Sequence, residues 1–299
     1  MKRSTSIIIA LICCFLWALV FPVLKLLYIE LNMVNDSAKL TLAGMRFLLA
    51  GLIVLIYFII ANKSFPKINS MKLLGELSVL GLFQTTLVYA FFFIGASNAT
   101  GIKSSVLSQS SIFFVAFLAH YTLKGEALNY KKTLALLLGV IGMIVININK
   151  LGSMNELWNF AVIGEGYLII SGLFNAIGTI IAKKMSKNND AVLMNGWQLT
   201  IGGVFLLTLG IITHGQLITF PNSYSIFLFL ILVFISAIAF TLWFIILKYV
   251  KASQVTIFKF TIPIIGAISS AILVPGEVLS IYNFLGLAFV SYGIYYCNK

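Results

Sequence analysis

The chain has 299 residues, of which 61% are apolar and only 9% are charged, and its formal net charge is +12. Soluble domains carry about 45–50% apolar and about 25% charged residues. A water-soluble fold of this length could not bury so much apolar surface in one core, so the composition excludes an ordinary soluble enzyme or binding domain. The positive charges stand singly between apolar runs, which favours an anionic membrane surface over nucleic acid as their partner.

About ten apolar segments are long enough to cross a bilayer, whose hydrocarbon core needs about 20 residues of helix. The first continues to about Tyr28 without a convincing cleavage site, so it is interpreted as a retained span rather than a signal peptide. The sequence therefore predicts an all-α integral membrane protein. The predicted spans are residues 5–28, 37–61, 72–96, 101–122, 131–148, 160–183, 191–213, 223–247, 253–274 and 280–297.

The basic residues indicate how these spans are oriented. With the N-terminus in the cytoplasm, most of the 20 lysines and arginines lie at the inner ends of the spans, as the positive-inside rule expects. Only Arg46 and Lys259 lie within spans and away from their ends. The sequence predicts a multi-pass protein of the cytoplasmic membrane with both termini in the cytoplasm.

Weak matches pair the two halves of the chain in the same order. Gly125-Glu126-x-Leu128 recurs as Gly276-Glu277-x-Leu279, Gly44-x-Arg46 pairs with Gly196-x-Gln198, and Trp17-Ala18 pairs with Asn175-Ala176. Each half holds five predicted spans, so the second half must enter the membrane from the opposite side. The predicted domains are inverted repeats, residues 1–150 and 151–299, an arrangement that recurs in secondary transporters. Chance similarity among apolar helices is the alternative.

Several short motifs resemble those of one family. They are Leu16-Trp17-Ala18 in the first span, Arg46-Phe47-Leu48-Leu49-Ala50 in the second, and the paired Gly-Glu-x-Leu elements. On these motifs the chain resembles, over essentially its whole length, an EamA-like member of the drug/metabolite transporter superfamily. The resemblance implies ten spans, alternating access and a central cavity lined largely by spans 1 to 4 and 6 to 9. Members move amino acids, nucleotide sugars, phosphorylated sugars, amines or drugs.

Two cations within spans are candidates for substrate binding, because a cation at mid-bilayer costs about 2.5–3.5 kcal/mol on insertion scales. Arg46 lies near the middle of span 2, and its repeat counterpart Gln198 is also polar. A structural role at the repeat interface is the alternative for Arg46. Lys259 either binds an anionic group of the substrate or extends to the membrane surface. Its counterpart Ser108 and the adjacent Gln109, in a polar run of span 4, join the predicted site.

Aromatic side chains deep in the spans are predicted to wall the cavity, with simple packing as the alternative for each. They are Trp17, Phe21, Tyr89, Phe92, Trp197 and Trp243. Of these, Trp17, Tyr89, Phe92 and Trp243 join the predicted site, together with Asn175, the counterpart of Trp17. Glu76 and Glu165 lie about one turn inside their spans. They are candidates for proton coupling, or else they pair with a nearby cation or reach water. Glu126 and Glu277 resemble the structural Gly-Glu corner of the family, which implies a position near a helix N-terminus, where a carboxylate is favourable.

The leading hypothesis is a secondary transporter of small metabolites, and an exporter of metabolites or amino acids is favoured over a dedicated drug pump. Amino acids or related solutes carrying a carboxylate or phosphate are favoured as cargo. The alternatives are an integral membrane enzyme of lipid-linked chemistry, an exporter of cationic or amphipathic drugs, and a passive scaffold or sensor. The sequence holds no nucleotide-binding loop, metal-ligand cluster or nucleophile–base spacing, so no catalytic residue, cofactor or metal is predicted. The expected partners are the substrate and membrane lipids, with no nucleic acid, and a homodimer is left open.

Overall fold

The computed structural model describes residues 3–33, 35–64, 68, 70–147, 160–214, 217–274 and 280–298, and within these ranges the chain forms helices and no strand. The all-α prediction is confirmed. In chain order the helices are α1 (Arg3–Glu30), α2 (Asp36–Asn62), α3 (Met71–Ser97), α4 (Gly101–Leu107), α5 (Ser110–Thr122), α6 (Tyr130–Ile146), α7 (Val162–Met185), α8 (Ala191–His214), α9 (Ser223–Tyr249), α10 (Ala252–Leu273) and α11 (Ile281–Asn298).

Seven of the described helices are long and apolar enough to cross a membrane, namely α1, α2, α3, α7, α8, α9 and α10. Each coincides with a predicted span. The remaining predicted spans correspond to α4 with α5, to α6 and to α11, which are interrupted, shorter or less apolar. Large apolar side chains such as Ile56, Ile60 and Phe234 are exposed on the helix surfaces, as expected where lipid is the solvent. These helices define a multi-pass membrane protein.

Short polar side chains fix where several helices begin. The side chain of Asn35 accepts a hydrogen bond from the backbone N–H of Ser37 at the start of α2, at 3.0 Å. Asn222 and Ser225 form a reciprocal capping box at the start of α9. Such caps satisfy backbone donors that the first turn of a helix leaves unpaired. The sequence thereby sets the ends of the helices that enclose the site.

The helices pack in a pattern that is unchanged when each helix of the first half is exchanged with its counterpart in the second. α1 packs on α9 and α10, and α7 packs in the same way on α3 and α5. α2 packs on its own counterpart α8, and α6 packs on α11. The glycines of the α2–α8 contact follow the same rule, since Gly44 lies against Leu207 and Gly196 against Leu55, with no room for a Cβ at either. The packing therefore has approximate twofold symmetry.

Three helical stretches near the centre of the bundle depart from regular α geometry. The chain turns at Ser108 and Gln109 between α4 and α5, where a single uninterrupted span is predicted. α10 contains a 3-10 stretch, Thr256–Phe260, and α3 contains a π stretch, Leu82–Leu87. Mid-helix turns of these kinds often mark functional positions. The predicted domain boundary and the predicted Gly276-Glu277 element lie outside the described residues.

Candidate functional site

A cavity of about 170 Å³ lies between helices of both halves. Its lining comes from the second halves of α1 and α3, the middle of α2, α7 and α10, and the second half of α9, together with the Ser108–Gln109 turn and Ser111 at the start of α5. The cavity is therefore displaced toward the end of the bundle opposite the start of α1. The predicted site residues in the lining are Trp17, Arg46, Tyr89, Phe92, Ser108, Gln109, Asn175 and Lys259.

Lys259 is buried at the contact between the two halves. Its Nζ donates a hydrogen bond to Oδ1 of Asn175 at 3.1 Å. The same atom lies 5.5 Å from the ring centroid of Trp17 and 5.0 Å from that of Trp243. The side chain thus points into the bundle, so the alternative prediction that it extends to the membrane surface is wrong. Asn175 and Trp17 are predicted repeat counterparts, so Lys259 contacts the two halves at matching positions.

Arg46 is also buried, and it lines the same cavity. Its Nε donates to Oγ of Ser236 on α9 at 2.9 Å, and its guanidinium carbon lies 4.5 Å from the ring centroid of Phe47. In the part of the chain that the structure describes, Ser236 is the one hydrogen-bond acceptor found for this side chain, and no carboxylate pairs with it. Because a guanidinium carries five N–H donors, most of its hydrogen-bonding capacity is left for a solute or water.

Aromatic rings form much of the rest of the wall. The Trp17 ring packs edge-on against Phe240, with centroids 5.3 Å apart, and Tyr89 packs on Phe47 at 4.4 Å. Phe93 extends this wall beyond Tyr89, at 6.1 Å between centroids. Such a surface favours a solute with an apolar or aromatic body.

Gln84, in the π stretch of α3, lines the cavity but is absent from the predicted site. It is buried, and its Oε1 has no hydrogen-bond partner among the described residues. A polar side chain in the middle of an apolar span was a signal for it, the same signal that identifies Arg46. An unpaired acceptor in the same lining as two cations without a carboxylate partner can bind a solute that carries both an anionic group and a donor.

Two predicted site residues lie outside the cavity lining. Gln198 is fully buried between α3, α8 and α9, where its Oε1 accepts from Thr85 Oγ1 at 2.9 Å and its Nε2 donates to Asn195 Oδ1 at 3.0 Å. Asn195 continues this chain to Thr241 Oγ1 at 2.9 Å. Trp243 lies behind the Trp17 ring, with centroids 5.0 Å apart. Gln198 is therefore engaged in hydrogen bonds between helices. Trp243 does not line the cavity, but its ring contacts the ammonium of Lys259, which does.

The two candidate proton-coupling carboxylates also lie outside the lining. Glu165 pairs with Lys103 at 2.6 Å and accepts a hydrogen bond from the backbone N–H of Ala161 at 2.8 Å. Glu165 thus pairs with a nearby cation, which is the alternative to proton coupling that the sequence analysis left open. Glu76 is half-buried near the start of α3 and has no hydrogen bond or ion pair to the described residues.

A hydrogen-bonded cluster joins helices at the end of the bundle where α1 begins. The Glu126 carboxylate accepts from the backbone N–H groups of Ala252 and Ser253, each at 2.9 Å, and from the Ser253 hydroxyl at 2.8 Å. Glu126 thus lies at the N-terminus of α10, as predicted. Lys132 Nζ donates to the same serine at 2.7 Å, and Lys183 Nζ bonds the carbonyl of Val250 at the end of α9 at 2.7 Å. Glu277 lies outside the described residues.

A bundle of apolar helices with twofold packing around a central cavity is an architecture of membrane transporters. The sequence pattern of the EamA-like transporter family matches residues 4–148 and again residues 162–298. The chain therefore belongs to the EamA-like transporter family, within the drug/metabolite transporter superfamily. It is a membrane transporter of that type.

Curated relatives support the assignment to this family. A WAT1-related chloroplastic protein of Arabidopsis thaliana is 25% identical over 262 residues, which are 86% of this chain and 62% of that longer protein. Uncharacterized transporters of Archaeoglobus fulgidus and of Bacillus subtilis (YvbV) are each 27% identical, over 90% and 91% of this chain and 88% and 84% of their own lengths. A protein crystal structure with 16% sequence identity superposes with a TM-score of 0.77, covering 99% of this chain and 96% of its own, so the fold is shared.

Proposed function

We propose that the protein is a secondary transporter that exports small metabolites carrying a carboxylate or phosphate, such as amino acids, across the cytoplasmic membrane. The observation that carries the proposal is the pair of buried cations, Arg46 and Lys259, in a cavity whose described lining contains no acidic residue. Two cations at this depth cost about 5–7 kcal/mol together. An anionic group of the substrate offsets part of that cost.

The size of the cavity supports a small solute. Its volume of about 170 Å³ is close to that of an engineered protein cavity of about 150 Å³ that binds benzene. The aromatic wall of Trp17, Tyr89 and Phe240 would contact the body of the substrate, while the cations bind its charged end. The substrate class that fits is an organic anion or an amino acid with a compact apolar body.

We assign to the chain ten spans in two inverted repeats, with both termini in the cytoplasm. The twofold helix packing and the family match to each half support this arrangement. The cavity then lies on the outer side, and the Glu126 cluster closes the inner side. Transport would proceed by alternating access, in which the Glu126 contacts open while the outer ends of α1, α3 and α7 approach each other.

Counterflow in proteoliposomes tests the proposed substrate class and also separates a carrier from a passive scaffold. Phenylacetate, phenylalanine and phenethylamine make a suitable panel, because they share an aromatic body and differ in charge. We expect exchange of the anion or the zwitterion at rates at least about tenfold above the amine. Arg46→Gln should lose this exchange, whereas Lys248→Met, which removes an exposed lysine at the end of α9, should keep it. Preferential exchange of the amine, or of tetramethylammonium, would overturn the proposal.

The inverted topology has a separate test. Single cysteines at positions 125 and 276, in a background without the 3 native cysteines, would be labelled in intact cells with a membrane-impermeant maleimide. We expect labelling at position 276 from outside and protection at position 125. Labelling of both positions from one side would contradict the repeat arrangement whatever the substrate is.

A further inference from the structure

We propose that Lys259 occupies an aromatic corner, formed by Trp17 and Trp243, that would otherwise bind organic cations, and that its presence there sets the charge selectivity of the cavity. The inference rests on the proposed function, because it concerns the same cavity. It goes further in assigning to one side chain the exclusion of a whole class of solutes. Lys259 is in this sense a specificity-determining residue.

The two indole rings have the geometry of a cation site. Their centroids are 5.0 Å apart and their planes are inclined by 60°, so they form two walls of a corner. An ammonium is attracted to an aromatic face when it lies within about 6 Å of the centroid. Lys259 Nζ meets that condition for both rings, at 5.5 Å from Trp17 and 5.0 Å from Trp243. Corners of aromatic rings are a recurring means of binding methylated ammonium ligands.

The remaining contacts of the ammonium come from neutral groups. Asn175 Oδ1 accepts one hydrogen bond at 3.1 Å, and no carboxylate among the described residues pairs with Lys259. Asn175 lies on α7 and Trp17 on α1, so the corner and its amide oxygen are contributed by both halves. A free organic cation would find the same three partners if the lysine were absent.

With Lys259 in place, a second cation would meet a like charge where the aromatic attraction is strongest. Repulsion between like charges is large in a poorly solvated site, so quaternary amines are excluded. An anionic group is attracted to the same ammonium. Replacing the lysine by an uncharged side chain therefore removes the like charge from the corner, although the charge of Arg46 remains elsewhere in the lining.

Binding of tetramethylammonium to purified protein, measured by isothermal titration calorimetry, tests the inference directly. We expect Lys259→Met to bind this probe at least about tenfold more tightly than the unmodified protein. Lys259→Arg retains the charge and should behave like the unmodified protein. The control Lys248→Met removes an exposed lysine outside the cavity and should gain nothing. Adding Trp243→Leu to Lys259→Met should abolish the gain, because one wall of the corner is then missing.

The inference is overturned if folded, monodisperse Lys259→Met binds tetramethylammonium no better than the unmodified protein. Tight binding to the unmodified protein would overturn it equally. Lys259→Gln, which keeps a polar side chain without the charge, gives the same reading if the methionine variant does not fold. A failure of the proposed function has a different signature, since the unmodified protein would then prefer the amine to phenylacetate in counterflow. If the unmodified protein prefers the anion in counterflow but Lys259→Met gains no affinity for tetramethylammonium, the inference about the corner is contradicted and the proposed function is not.

Discussion

Two buried lysines in different regions of the molecule have unequal sets of partners. Lys132 and Lys259 are 5% and 7% exposed, so their burial is nearly the same. Lys132 Nζ donates to three oxygens, the backbone carbonyls of Glu126 and Ala127 and the hydroxyl of Ser253, at 3.2, 2.9 and 2.7 Å. Lys259 has one amide oxygen and two aromatic faces. Equal burial with unequal hydrogen bonding is what we expect if Lys132 holds helices together and Lys259 is available to a solute.

The largest effect that this comparison predicts is on stability. Lys132→Met should lower the free energy of unfolding by about 3 kcal/mol, because it leaves three buried oxygen atoms without the ammonium that donates to them. Lys259→Met should change it by no more than about 1 kcal/mol, since the loss of one hydrogen bond is offset by removal of a charge from lipid depth. Denaturant unfolding in the same detergent measures both. Equal losses in the two variants would contradict the distinction.

How far the sequence predicts the site depends on the kind of residue. Lys259 and Arg46 could be identified because a charge within an apolar run is costly wherever the run packs. Trp17 and Tyr89 could be identified from their depth in the spans. Because the membrane excludes water, isolated charges and aromatic residues in the middle of a span can be identified as site candidates from the sequence alone.

Gln198 shows what the sequence could not predict. Helices that are apolar on every side carry no periodicity to indicate which face meets a cavity. The rotation of α8 follows instead from close packing of its glycines on α2, as at Gly196 and Leu55, which is a tertiary property. The break at Ser108 and Gln109 was missed for a related reason, because neither residue type prevents a helix from continuing. The depth of a residue within its span could be predicted, but the direction in which its side chain points could not.

A second prediction concerns neighbouring residues in the π stretch of α3. Thr85 donates to Gln198 in the buried chain of hydrogen bonds, whereas Gln84 lines the cavity. Thr85→Val keeps the shape of the side chain but leaves Gln198 Oε1 without its donor, so it should cost about 1–2 kcal/mol of stability. Substrate affinity per folded molecule should not change. Weaker substrate binding without a loss of stability would place this chain of hydrogen bonds in the transport site instead.

The smallest effect on stability is expected for a substitution of Gln84, one residue before Thr85. Gln84→Met preserves an unbranched side chain and removes an acceptor that has no partner among the described residues. Because no hydrogen bond is lost, the free energy of unfolding should stay within about 1 kcal/mol of its original value, in the stabilising direction. Exchange of phenylalanine, which carries both an anionic group and donors, should weaken several-fold more than exchange of phenylacetate, which has no donor. Equal weakening of the two would show that Gln84 shapes the cavity without accepting a hydrogen bond from the solute.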